Sequence, residues 1–174
     1  QNITCTNSLY LNNLPQLTNL DNISNVESQD FIVCTIELCN SLIDLTGFEV
    51  NTVFYGNLYL YNNQNITSLV GIENCDFSEG SIGITNSPLP NLSDLSQMSS
   101  IESFSITELQ SLTSLSGLLD VNLGAFYMNN CNLITNLEGL NNNSEFKNLY
   151  LRLNANLTDI SELTNLETVT HTLI

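Results

Sequence analysis

NLYLYNNQNITSLVGI, residues 57 to 72, is a pattern that the rest of the chain repeats more or less closely. Its apolar residues first alternate, at Leu58 and Leu60, as they do in a strand with one buried face. Further along they recur at every third residue, a spacing that fits neither an amphipathic helix nor a long strand. Asn63 and Gly71 suit corners, because asparagine tolerates tight turns and glycine accepts a positive φ at no steric cost. The pattern therefore predicts a strand followed by a chain that turns corners.

Copies of this pattern follow one another at a spacing of about 23 residues, and three apolar columns run through them. The first column holds Leu42, Ile66, Leu89, Leu112, Ile134 and Leu157. The second holds Leu45, Leu69, Leu92, Leu115, Leu137 and Ile160, and the third holds Phe48, Ile72, Leu95, Leu118, Leu140 and Leu163. The inward strand pairs are Cys34 and Ile36, Leu58 and Leu60, Ile82 and Ile84, Phe104 and Ile106, Phe126 and Met128, and Leu149 and Leu151. This agreement predicts a solenoid in which each copy forms one coil.

Two further columns mark the corners of each coil. One holds Cys39, Asn63, Asn86 or Ser87, Leu109, Cys131 and Asn154, and the other holds Gly47, Gly71, Gly117 and Gly139. The copy that begins near residue 81 breaks both columns, with Ser87-Pro88 in the first and Asp94 in the second. Its corners are therefore expected to be built differently.

These residues resemble a known family. The pattern L-x-L-x-x-[NC]-x-x-L-x-x-L-x-G-L is similar to that of the leucine-rich-repeat superfamily, and GNLYLYNNQNITSL and SFSITELQSLTSLSGL are similar to its receptor L-domain branch. The resemblance covers nearly the whole chain and implies a β-rich solenoid, a right-handed coil of about seven repeats with a parallel sheet on one face. Members include receptor ectodomains and surface proteins of fungi, bacteria and protists. Leu109 departs from the pattern and the receptor modules' usual cysteines are missing, so receptor-type ligand binding is not carried over.

Length and charge indicate one domain outside the cytoplasm. Residues 1–174 form a single predicted domain, with a cap and irregular first repeat in 1–30 and six repeats in 31–174. The net charge is −16, which disfavours nucleic acids and anionic membranes as partners, and no long apolar run predicts a membrane span. The chain starts at Gln1 without a leader, as a mature secreted chain or a trimmed one would.

The cysteines read as structural. Cys5 lies just ahead of the first strand, so a Cys5–Cys34 disulfide closing the cap is the preferred pairing, with Cys5–Cys39 as its rival. Cys39, Cys75 and Cys131 read as buried thiols. No C-x-x-C pair is present, so neither a structural metal site nor a cofactor is expected.

Tyrosines mark the outward side of the predicted sheet. One outward column reads Tyr10, Thr35, Tyr59, Gly83, Ser105, Tyr127 and Tyr150, and the next reads Asn12, Glu37, Tyr61, Thr85, Thr107, Asn129 and Arg152. The predicted binding residues are Tyr10, Tyr59, Tyr61, Tyr127 and Tyr150, because exposed tyrosines stack on sugar rings or anchor protein partners. The competing interpretation is that tyrosine has a high strand propensity and packs against its cross-strand neighbours.

Asparagine is abundant, and two roles are predicted for it. The column Asp44, Ser68, Asn91, Ser114, Asn136 and Asp159 is polar in every copy, as expected if stacked side chains bridge successive coils. Six sequons begin at Asn2, Asn22, Asn65, Asn91, Asn142 and Asn156. Asn65 and Asn156 share an exposed corner column and are the preferred N-glycosylation sites, whereas Asn91 lies in the polar column.

Catalytic constellations are hard to assemble, so an enzyme is not expected. The one histidine, His171, reads as an outward strand residue, and no pair of carboxylates is placed for glycoside chemistry. The leading hypothesis is a non-enzymatic extracellular or cell-surface module that binds protein or carbohydrate through the tyrosine face. The alternative is a glycosylated filament subunit that polymerises head-to-tail through uncovered coil ends.

Overall fold

A computed structural model describes residues 8–21, 30–47 and 53–174. Eight strands lie in these ranges: β1 Ser8–Asn12, β2 Asp30–Glu37, β3 Val53–Tyr61, β4 Phe77–Thr85, β5 Ser100–Thr107, β6 Asn122–Asn129, β7 Glu145–Arg152 and β8 Thr168–Leu173. The helical residues in the same ranges form short 3-10 turns at Ser93–Leu95, Ser116–Leu118 and Ser161–Asn165. None of these turns is long or apolar enough to cross a membrane.

The strands form one parallel sheet in sequence order, from β1 to β8. From β3 to β8, a return path joins each strand to the start of the next, so the described part of the chain is a β-solenoid with almost no helix. The register is the one the repeats predict: Leu58 pairs with Cys34 on one side and with Ile82 on the other. The predicted β-rich solenoid with a parallel sheet on one face is confirmed.

The core lies between the sheet and the return path. The inward strand residues from Cys34 to Leu149 are almost wholly buried, and so are the apolar corner columns from Leu42 to Leu140. Leu157 and Leu163 are partly buried, and Phe48 lies outside the described residues. Ile160 is an exception in the second column, because it belongs to the last described coil and is exposed. The sequence pattern missed one inward column at the start of the strands, which holds Phe77, Ile101, Leu123 and Phe146. Irregularities such as the one between Phe77 and Ser81 interrupt the alternation there, and this hides the column from a period of two.

The chain leaves each strand from β1 to β7 through a residue with positive φ. The residues in this column have φ between 50° and 57° and are Asn13, Leu38, Asn62, Asn86, Glu108, Asn130 and Leu153. Each of the first six donates its backbone N–H to the strand end of the next coil; Asn62, for example, bonds to the Thr85 carbonyl at 3.0 Å. Asparagine suits this left-handed conformation better than leucine does.

The next residue in the corner joins successive coils where it is asparagine or cysteine. Asn63 is fully buried, donates through Nδ2 to the Ile36 carbonyl at 2.8 Å, and accepts the Cys39 N–H at 3.0 Å. Asn154 makes the equivalent pair of bonds at 3.0 and 2.8 Å. In the copy that begins near residue 81, which is the fourth from the start of the chain, Ser87 occupies this buried position. Asn86 belongs instead to the positive-φ column.

The glycine column is set by close approach of neighbouring coils. Gly71 has a φ of 113°, and a Cβ atom there would lie 2.0 Å from the Leu45 carbonyl oxygen. Gly117 lies in a 3-10 turn, yet its Cβ would also lie 2.0 Å from a carbonyl oxygen of the preceding coil. Asp94 takes the glycine position in the fourth copy and accepts the Leu69 N–H at 2.7 Å. The prediction that this copy builds its corners differently is therefore confirmed.

The predicted polar ladder between coils is wrong. In every described copy, the side-chain oxygen of this column accepts the backbone N–H two residues further along its own coil, at 2.8 to 3.1 Å. Aspartate, asparagine and serine form such local turns readily, and these turns need no neighbouring coil. Ser68 alone among them also reaches another coil, through its hydroxyl to Asp94. The bonds that do link coils come from other columns, such as that of Asn63.

The preferred Cys5–Cys34 disulfide and its rival Cys5–Cys39 involve Cys5, which lies outside the described residues. Cys34, Cys39, Cys75 and Cys131 are buried, as predicted. The Cys39 thiol donates to the Leu11 carbonyl of the preceding coil at 3.6 Å. Cysteine and asparagine are therefore equivalent in this corner column, because the side chain of each donates a hydrogen bond to a carbonyl of the preceding coil.

Candidate functional site: the tyrosine-bearing sheet face

The outward side of the sheet, here called the sheet face, carries the two columns that the sequence predicts. Pairing between adjacent strands places Tyr10, Thr35, Tyr59, Gly83, Ser105, Tyr127 and Tyr150 in one row. The second row follows in the same register, from Asn12 to Arg152. All five predicted tyrosines therefore lie on one face, although the structure divides them into groups.

Tyr59 and Tyr61 form the first group. Their ring centroids lie 5.4 Å apart and the ring planes differ by 19°, so the two rings are stacked along β3. A Cβ atom at Gly83 would lie 2.7 Å from Cδ1 of Tyr59, which means that this ring occupies the space above the neighbouring strand. The absent side chain at Gly83 is what allows the ring to lean across β4.

Tyr127 and Tyr150 form the second group, on the adjacent strands β6 and β7. Their centroids are 6.2 Å apart and their planes are tilted by 38°. The four paired tyrosines are partly exposed. Tyr10 stands apart on β1 with 66% of its surface exposed. The sequence predicted a stripe, but the structure brings together two separate pairs.

Small hydroxyl side chains cover the two strands between the pairs. These residues are Ser81 and Thr85 on β4 and Ser103, Ser105 and Thr107 on β5. None of their hydroxyl groups makes a hydrogen bond to another described residue, in contrast to the asparagines of the corners. The sequence columns do not include Ser81 and Ser103. Each lies two residues before the first outward column, at Gly83 and Ser105, and therefore belongs to the same face of the sheet. The face therefore offers unpaired donors and acceptors between two aromatic walls.

A charged residue, Glu37, lies beside the first tyrosine pair. Glu37 accepts a hydrogen bond from Nδ2 of Asn12 at 2.6 Å, next to Tyr61 in the same row. Partial burial raises the pKa of Tyr61, and the neighbouring Tyr59 and Glu37 raise it further. The Tyr61 phenol is therefore neutral at physiological pH and is available as a hydrogen-bond donor.

The two cations differ in their surroundings. Lys147 forms an ion pair with Glu102, and the pair spans β6 at Gly124, where a Cβ atom would lie 2.8 Å from a Glu102 carboxylate oxygen. Arg152 is exposed at the end of the second row and has no ion-pair partner in the part of the chain that the structure describes. The region between the tyrosine pairs thus contains no unpaired cation.

The predicted glycosylation sites fall into three groups. Nδ2 of Asn65, Asn142 and Asn156 donates to a carbonyl of the preceding coil, at 2.6, 2.8 and 2.7 Å respectively. Asn91 is exposed and uses only its Oδ1, which accepts bonds from the Ser93 N–H and hydroxyl at 3.0 and 2.6 Å. Asn2 and Asn22 lie outside the described residues. Asn91 was set apart from Asn65 and Asn156 because its column was expected to bridge coils. That expectation is wrong, because the column bonds within its own coil.

Other chemistry has little support in the geometry. Across residues 8–21, 30–47 and 53–174, no three His, Cys, Asp or Glu side chains are grouped to hold a metal ion. His171 is exposed and its Nδ1 lies 2.9 Å from the Thr170 hydroxyl. Burial raises the pKa of the Cys131 thiol, although backbone hydrogen bonds at Leu109 and Asn129 act in the opposite direction. A protonated, buried thiol is a poor nucleophile.

Comparison of the chain with protein-family models, with curated proteins and with solved structures finds no match. The resemblance to leucine-rich repeats therefore rests on the repeat columns, and function must be argued from the site itself.

Proposed function

We propose that this chain is a non-enzymatic extracellular or cell-surface module that binds protein or glycan through its sheet face. The observation that carries the proposal is the pair of stacked rings at Tyr59 and Tyr61, with Gly83 making room for the first of them. Partly exposed aromatic rings held against a rigid sheet present large contact areas at a low cost in side-chain entropy. The net charge of −16 and the sequons support a location outside the cytoplasm.

Membership of the leucine-rich-repeat superfamily belongs to the same proposal. It is supported by the aligned apolar columns, by the asparagine and cysteine corner column, and by the parallel sheet on one side of each coil. Solenoids of this kind commonly use one continuous face for binding, because the outward residues of successive coils form a surface without interruption.

The experiment compares wild type with a Tyr59→Ala, Tyr127→Ala double variant. Fluorescently labelled protein is applied to a glycan array, to immobilised extracellular-matrix proteins and to cultured cells, and bound fluorescence is measured. We expect the double variant to lose at least about tenfold in affinity for whichever surface the wild type binds, because both aromatic groups lose their anchors.

Leu133→Ala is the matched control, since Leu133 is an exposed apolar residue away from the sheet face. It should bind as the wild type does, and all proteins should give the same far-ultraviolet circular dichroism. Equal binding by the double variant and the control would remove the tyrosines from the function. Light scattering on the same samples should show a discrete species; growth into polymers would support the filament alternative instead.

A further inference from the structure

We propose that the ligand is a neutral hexose oligosaccharide lying in the trough between the two tyrosine pairs, across β4 and β5. The trough is defined by Tyr59 and Tyr61 on one side, Tyr127 and Tyr150 on the other, and the five serine and threonine residues between them. This inference rests on the proposed function, because it names the ligand of the same face.

The dimensions of the trough suit a chain of sugar rings. Tyr61 on β3 and Asn129 on β6 are separated by three strand spacings, about 14 Å. The side chains between the walls are short, whereas each wall carries two large tyrosine rings. The Tyr59 ring narrows the trough further because it leans over Gly83. A linear ligand several rings long fits such a shape better than a globular one.

The chemistry of the trough matches both kinds of surface that a hexose presents. A pyranose ring has apolar C–H faces, which stack on aromatic rings, and hydroxyl groups around its edge, which both donate and accept hydrogen bonds. The walls supply aromatic faces and phenol groups. The floor supplies hydroxyls such as those of Ser105 and Thr107, which are also donors and acceptors and make no bond to other described residues.

The absence of unpaired cations in the trough selects against acidic sugars. Lys147 lies on β7 and reaches across β6 to Glu102 on β5, with which it is already paired, and Arg152 lies at the end of its row. A chain with a net charge of −16 also repels an anionic ligand at a distance. Sialylated, sulfated and uronic-acid chains should therefore bind less tightly than neutral chains with the same backbone.

A protein ligand fits this surface less well. Protein anchors are buried in apolar pockets at the centre of an interface, and the centre of this face is a polar floor. An extended peptide would add to a sheet through an exposed edge, whereas the trough crosses the middle strands, whose backbone groups are already paired on both sides.

The test measures binding to neutral oligosaccharides of glucose, galactose, mannose and N-acetylglucosamine, beside sialylated and sulfated versions, on an array and then by calorimetry. Thr107→Val removes a floor hydroxyl with little change in shape and should weaken binding by about three- to tenfold. Gly83→Ala removes no contacting group but displaces the Tyr59 ring, and it should weaken binding by a similar factor. Thr135→Val, an exposed threonine away from the sheet face, is the control and should bind as the wild type does.

The outcomes separate this inference from the proposed function. If neutral chains bind at millimolar concentration or better and both trough variants weaken them, the inference holds. If no neutral chain binds, if acidic chains bind more tightly, or if Thr107→Val matches Thr135→Val, the inference fails. The proposed function survives that failure when the Tyr59→Ala, Tyr127→Ala variant still loses binding to a protein or an acidic glycan, and it falls when that variant loses nothing.

Discussion

Replacing Asn63 with alanine should destabilise the solenoid more than any change at an exposed corner. Asn63 is 0% exposed and bonds two backbone groups of the preceding coil, the Ile36 carbonyl and the Cys39 N–H. Alanine leaves both groups buried and unpaired. Each orphaned group costs about 1–3 kcal/mol, so the expected loss is about 4 kcal/mol. Since domains of this size unfold with about 5–15 kcal/mol, the loss is a large part of the total.

Urea unfolding followed by circular dichroism measures this loss. With a slope of about 2 kcal/mol per molar, the midpoint should fall by about 2 M. Protein made without glycans is used, because the control, Asn65→Ala, also removes a sequon. Asn65 is exposed and loses a single bond to the Asn40 carbonyl, so its cost should stay below about 1 kcal/mol.

A third variant separates hydrogen bonding from packing. Asn63→Cys restores a donor toward the Ile36 carbonyl, as Cys39 does one coil earlier, and under reducing conditions it should lie between wild type and Asn63→Ala. Equal midpoints for Asn63→Ala and Asn65→Ala would refute the reasoning, because the two buried hydrogen bonds of Asn63 would then contribute no more than the one exposed bond of Asn65.

Two further predictions concern local backbone and side-chain bonds. Leu153→Asn should raise the free energy of unfolding by about 1 kcal/mol, because Leu153 is 64% exposed and is held at a φ of 55° that asparagine adopts more easily. The control is Leu119→Asn, at a φ of −53°, which should show no gain in urea midpoint; an equal gain would contradict the backbone explanation. Hydrogen bonds from the Ser78 N–H and hydroxyl lower the pKa of Asp76 below its ordinary value of 3.8, so the ionised carboxylate stabilises the fold above that value and this contribution is lost as the pH falls through the lower, folded pKa. Asp76→Asn should therefore lose less stability on acidification than wild type does, and identical pH profiles would show that the bond adds nothing.

Much of the fold can be predicted from the sequence, because every coil of a solenoid repeats the same pattern of apolar and corner residues. Leu58 and Leu60 show the alternation of a strand with one buried face, and the pairing of every strand with the next follows from stacking equal coils. The same logic predicts that Tyr59, Tyr61, Tyr127 and Tyr150 lie on one face. Where the register is regular, column membership follows from the repeat period, which is a property of the sequence.

Predictions were wrong where a polar side chain could bond either within its own coil or to a neighbouring coil. Asn136 and Asp159 were expected to bridge coils, but each accepts a nearby N–H of its own coil, and the sequence does not distinguish a local bond from a ladder. The same applies to Asn91, whose side chain also accepts a nearby N–H of its own coil. The inward column at Phe77 was hidden because an irregular register breaks the period of two.

The sequence by itself determined the coil length, the inward and outward columns and the acidic, asparagine-rich composition, because each depends on residue identity at a regular spacing. Only the tertiary structure decided how those columns are used. The lean of Tyr59 over Gly83 and the contact between Tyr127 and Tyr150 arise between adjacent coils about 23 residues apart, and the stacking of Tyr59 on Tyr61 arises within β3. Such contacts depend on side-chain packing in three dimensions, which periodicity does not specify.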